Sequence, residues 1–119
     1  AYPPLASWIQ AASKLLYAEG PISAQQRELC LITLLAYRAP GLALAPHVYW
    51  GLMEGLHPEQ VCHAASLAGC YGGFPTLGDA LVAMKRTFAV LKRLAADETS
   101  QASSTVLAAL VREFANLTL

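Results

Sequence analysis

The chain is 119 residues long, 55% hydrophobic and 13% charged, with eight basic and eight acidic residues and no formal net charge. Neutrality leaves no Lys/Arg stripe to neutralise phosphates, which argues against nucleic acid as a partner. Globular domains carry about 25% charged residues, so a small chain this apolar is expected to bury part of its surface between subunits.

The opening Ala1-Tyr2-Pro3-Pro4 has no charged n-region, so no signal peptide is expected and the chain reads as cytoplasmic. Leu5, Trp8, Ile9, Ala12, Leu15 and Leu16 fall on one stripe of a first helix that stops at Gly20-Pro21. Ser23-Ala24-Gln25-Gln26 fits a capping box, which starts a second helix running to about Arg38, before Pro40-Gly41. A third segment resumes near Leu42, is interrupted or restarted at Pro46, and has its main part from His47 to Leu56. His57 and Pro58 stand as N-cap and first residue of a fourth helix that ends at Gly72-Gly73. Pro75-Thr76 opens a fifth, with Leu77, Leu81, Met84, Phe88 and Leu91 at steps of four and three, a spacing suited to antiparallel or intersubunit packing. Asp97 to Ser104 is a polar link. A last helix presents Leu107, Leu110, Val111, Phe114 and Leu117 on one face. The expectation is a single all-α domain over residues 1–119 with about six helices.

No apolar run reaches the ~18 residues of a membrane span, and there is no basic amphipathic face for a membrane surface. Lys85-Arg86 and Lys92-Arg93 read as a solvated face of one helix. The three cysteines contain no Cys-x-x-Cys, and Cys62 and Cys70 lie eight residues apart on one expected helix. That spacing separates them by roughly 12 Å, too far for a disulfide. Free, mostly buried thiols are expected.

Two polar residues stand out. Glu28 opens the apolar run Leu29 to Ala36, and its helical neighbours Leu31, Ile32 and Leu35 turn it at least partly inward. His47 sits at a helix start within an uncharged stretch from Ala39 to Met53. A buried acid and imidazole are costly unless paired or used. Glu28 can be a structural acid near a helix N-terminus, paired with Arg27 or another basic group, and His47 a hydrogen-bonded core or interface residue. Together they can also form a general acid/base unit in which a neutral imidazole accepts or relays a proton. His57 reads as a cap, and His63 is given no role.

Glu28, then His47 nineteen positions later, then Tyr71-Gly72-Gly73-Phe74-Pro75, resembles the carboxymuconolactone decarboxylase family of the alkylhydroperoxidase D-like superfamily. Gly55-Leu56-His57-Pro58-Glu59-Gln60 is similar to that family's turn into a helix, and the resemblance spans roughly residues 24–95. Aligned on Glu28 and His47, the two cysteines of the peroxidase branch fall at Pro40 and Ala43, so the chain looks like the cysteine-less branch. His57 in place of the usual hydroxyl cap and a short stretch before Ser23 depart from the pattern. The resemblance implies an all-helical protomer assembled into a homo-oligomer, trimer or hexamer.

It also implies a decarboxylase-type enzyme acting on a small lactone or related conjugated carboxylic acid, chemistry that needs no metal or organic cofactor. Loss of CO₂ leaves a dienolate that must be stabilised and protonated on carbon. His47 is expected to donate or relay that proton and Glu28 to orient it. Trp50 would exclude water, Tyr71 could donate a hydrogen bond to a substrate oxygen, and Arg38 is nominated to clamp a substrate carboxylate. The alternative is an isomerase, a cyclase or a non-catalytic binding member on the same scaffold. A thiol peroxidase using Cys30, Cys62 or Cys70 is weaker for want of a paired cysteine.

Overall fold

The structure, a computed structural model, describes residues 3–97 and 102–115. Among these are five α-helices and no strand: α1 Pro3–Tyr17, α2 Ala24–Arg38, α3 Leu44–Met53, α4 Pro58–Ala95 and α5 Ser103–Ala115. The all-helical class agrees with the sequence, but there are five helices where about six were expected. Ala1 and Tyr2, residues 98–101 of the expected polar link, and Leu117 on the expected last face lie outside the described residues.

The difference in number arises at Gly73. The expected fourth and fifth helices are two arms of α4, joined through a kink where Gly73 has φ 83° and ψ −174°. That backbone region is open essentially to glycine alone. Across the bend the Thr76 hydroxyl donates to the Gly72 carbonyl at 3.2 Å. A Cβ on Gly72 would overlap the Thr76 side chain. Pro75 falls just past the break, where its missing N–H does least damage to helical bonding.

Helix starts follow the sequence signals. Ser23 Oγ accepts from the Gln26 N–H at 3.1 Å, and Gln26 Oε1 accepts from the Ser23 N–H at 2.8 Å. The His57 N–H likewise donates to Gln60 Oε1 at 2.9 Å ahead of Pro58. The interruption expected at Pro46 does not occur. Leu44–Met53 is one helix, and Pro46 sits in its first turn, where backbone N–H groups lack intrahelical partners anyway. This helix also ends at Met53 instead of Leu56. Gly55, at φ 96°, turns the chain back so that Leu56 is buried and its N–H donates to the Gly51 carbonyl at 3.0 Å.

The core lies between α2, α3, α4 and α5. α2 packs along α4, whose Val61, Ala64, Ala65 and Ala68 are buried at i, i+3, i+4 and i+7. The small side chains allow close approach, and the Thr33 hydroxyl crosses to the Ala64 carbonyl at 2.7 Å. On the second arm of α4 the buried register is Ala80, Ala83, Met84, Thr87 and Val90. The expected stripe meets it in part: Met84 is buried, Phe88 and Leu91 pack partly buried against the core, and Leu81 is exposed. On α5, Leu110 and Phe114 enter the core and Val111 does not. α1 stands apart, with Leu5, Trp8, Ile9, Leu15 and Leu16 all exposed, Trp8 at 70%. Among the described residues no helix is long and apolar enough to cross a membrane.

Candidate functional site

α2 and α3 cross so that Glu28 and Ile32, one turn apart on α2, face His47 and Gly51, one turn apart on α3. Gly51 sets the approach. A Cβ there would stand 3.1 Å from Leu56 Cδ1, 3.4 Å from Ile32 Cδ1 and 3.7 Å from Glu28 Cβ. Gln25 fastens the end of α3 to α2, its Nε2 donating to the Glu54 carbonyl at 2.7 Å. With the helices so held, His47 Nδ1 and Glu28 Oε2 are 2.9 Å apart.

The Glu28 side chain is only 2% exposed and His47 15%. An ionised carboxylate can only accept, so Glu28 then fixes the proton on Nδ1 and leaves Nε2 as the nitrogen available to a reacting atom. The Trp50 ring meets His47 edge-on, centroids 5.1 Å apart. The other Glu28 oxygen, Oε1, faces Arg27 Nε at 3.7 Å. That is an ion-pair distance and too long for a hydrogen bond, and the buried Arg27 Nε has no hydrogen-bond partner. The guanidinium lies over the Tyr17 ring, Cζ 4.7 Å from its centroid.

These groups open on one cavity of about 560 Å³, lined by Ser13, Tyr17, Arg27, Glu28, His47, Trp50, Met53 and Glu54. Its walls combine an acid–imidazole pair, one guanidinium and the apolar surfaces of Trp50 and Met53. Tyr17 adds a phenol whose pKa is raised above 10.0, by burial first and then by the Glu28 carboxylate, with Arg27 opposing. Tyr17 therefore presents a neutral ring to the cation at neutral pH.

The expected site residues divide. Glu28, His47 and Trp50 come together in this cavity. Arg38 is at the exposed end of α2 and does not line it. Tyr71 is 80% exposed on the first arm of α4, packed edge-on against Tyr37 at 5.3 Å. The cation in the cavity is Arg27, for which the sequence suggests only a counterion role beside Glu28. Adjacent helical residues point about 100° apart, so the pattern gave no sign that both reach one cavity. Tyr17 and Ser13 come from α1, beside its apolar stripe, at positions that carry no chemical signal in the sequence.

A second cavity, about 460 Å³, is bounded by Pro40, Leu42, Val82, Arg86 and Phe114. There the guanidinium is engaged: Arg86 Nη2 is 3.2 Å and Nε 3.3 Å from Glu113 Oε1. The cysteines are all free, but Cys30 and Cys70 are exposed, which corrects the expectation of mostly buried thiols. Burial raises the pKa of the half-buried Cys62, the opposite of an activated thiolate. Among the described residues no group of three or more His, Cys, Asp or Glu side chains could hold a metal ion. No family model, curated protein or solved structure matches the chain.

Proposed function

We propose that the chain is a decarboxylase-type enzyme acting on a small lactone or related conjugated carboxylic acid by proton transfer between Glu28, His47 and substrate. The observation that carries the reading is the 2.9 Å contact between His47 Nδ1 and a carboxylate that is 2% exposed, at the wall of a cavity large enough for a small molecule. The resemblance to the cysteine-less carboxymuconolactone decarboxylases, drawn from Glu28, His47 and the segment Tyr71 to Pro75, supplies the reaction class.

In this scheme the substrate carboxylate lies against Trp50 and Met53, where poor solvation favours loss of its charge. The C–C bond breaks, CO₂ departs, and the electron pair flows into the conjugated carbonyl to give a dienolate. His47, protonated on both nitrogens and held by Glu28, delivers the Nε2 proton to carbon, and a proton from water restores it. One proton is consumed for each CO₂ released. An isomerase is the second reading. The same Nε2 could take a proton from one carbon and return it to another, and the presence of one cavity guanidinium in place of a cluster favours a substrate of low charge. The protomer is proposed to assemble as a homo-oligomer, trimer or hexamer, which the exposed apolar stripe of α1 supports.

Turnover of a carboxylated muconolactone, followed by CO₂ release and lactone absorbance, tests the reading. His47→Ala and Glu28→Gln should each lower turnover by roughly 10²-fold or more with helicity by circular dichroism unchanged. Wild-type rates in the His47 variant would remove the mechanism.

A further inference from the structure

Arg27 is the cavity group that proton transfer leaves unused. Its side chain is 22% exposed, it lines the Glu28–His47 cavity, and it is positioned from two sides. The Tyr17 ring lies 4.7 Å from Cζ, and the Glu28 carboxylate stands 3.7 Å from Nε. Neither contact uses the donating fork. A π-face accepts no directed N–H bond of ordinary strength, and 3.7 Å exceeds hydrogen-bond range. The contrast within the same chain is Arg86, which donates to Glu113 at 3.3 Å through Nε. A buried N–H without a partner is costly, and among the described residues Arg27 Nε is the buried side-chain donor left in that state. A guanidinium pre-aligned, unspent and beside an acid–imidazole pair is the arrangement that stabilises charge developing on an oxygen.

We propose that Arg27 binds the carbonyl oxygen of the substrate and stabilises the enolate that forms there, so that the cavity selects planar lactone enolates. The assignment rests on Glu28 and His47 being the reactive pair. It puts the cation on the conjugated carbonyl oxygen and leaves the departing carboxylate against Trp50 and Met53. A guanidinium on that carboxylate would instead stabilise the ground state and slow the loss of CO₂.

The test is binding, which needs no turnover. Tetronate, a small lactone that is an enolate anion at neutral pH, is titrated by ligand-observed NMR beside the uncharged γ-butyrolactone. Arg27→Gln should weaken tetronate by about 10-fold or more, the usual effect of losing a charge-assisted hydrogen bond, and weaken the neutral lactone, whose carbonyl is a poorer acceptor, by a clearly smaller factor. Arg27→Lys keeps the charge without the planar fork and should fall between, which preserves the test if the glutamine variant does not fold. Equal tetronate affinity in wild type and both variants overturns the assignment. In a turnover assay Arg27→Gln should lower kcat by roughly 10²-fold with little change in KM; a loss confined to KM overturns it. Arg27-dependent tetronate binding without any decarboxylation would leave this assignment standing and sink the decarboxylase reading, and turnover with Arg27-independent binding would do the reverse.

Discussion

At the scale of single residues, Glu28 acts as a hub. One oxygen fixes His47 at 2.9 Å, the other faces Arg27 at 3.7 Å, and its charge reaches Tyr17. Such coupling is measurable at Tyr17. Its pKa is raised by burial, then by Glu28, and lowered by Arg27. A raised folded pKa means that the fold favours the neutral phenol. The resulting stabilisation is present below the unfolded value of 10.0 and is lost as pH rises through the folded one. Tyrosinate absorbance near 295 nm, with Tyr17→Phe as the blank, should therefore place the Tyr17 midpoint above that of a free tyrosine. Glu28→Gln should bring it down, and Arg27→Gln should push it further up. A midpoint indifferent to both variants would mean that the three side chains do not share one electrostatic environment.

At the scale of elements, glycines decide how the helices meet. Gly51 lets α3 lie against Ile32 and Glu28, which brings His47 within reach of the acid. Gly73 lets α4 bend so that one arm packs on α2 and the other carries Ala80, Ala83 and Met84 into the core. Its φ of 83° with ψ of −174° costs a residue with a Cβ about 1–3 kcal/mol. Gly73→Ala should lower unfolding free energy by that amount in urea, while Gly78→Ala, which meets nothing within 4 Å, should be neutral or better. Equal loss at both positions would contradict the kink as the source of strain. The sequence marked this place through Gly72-Gly73 and Pro75 and read it as the end of one helix and the start of another. It could not distinguish a loop from a one-residue kink, because both need the same glycine.

At the scale of the whole molecule, α1 is the outlier. Its apolar stripe follows a helical period as regularly as that of a core helix, yet Trp8, Leu15 and Leu16 are at least 70% exposed. Exposed apolar surface of this kind marks an interaction site, which agrees with the low charge content of the chain. The proposed homo-oligomer should give a sedimentation-equilibrium mass that is a multiple of the 12.7 kDa chain. Replacing Trp8 and Leu16 together by Ser should shift that mass toward the protomer. A wild-type mass of 12.7 kDa would remove the oligomer. α1 also contributes Ser13 and Tyr17 to the cavity, so loosening this helix should weaken ligand binding as well.

Sequence alone determined what depends on local chemistry. Helical periodicity set the class, the Ser23–Gln26 box and Pro58 set two helix starts, and the cost of burying Glu28 and His47 singled them out before any contact was known. Which residues join them was settled only by packing. Arg27 and Tyr17 reach the cavity, and Arg38 and Tyr71 do not, because the α2–α3 crossing and the place of α1 depend on contacts between residues distant in sequence. Periodicity reports which face of a helix is apolar; it does not report which neighbour, if any, covers that face, and α1 has the pattern without the cover.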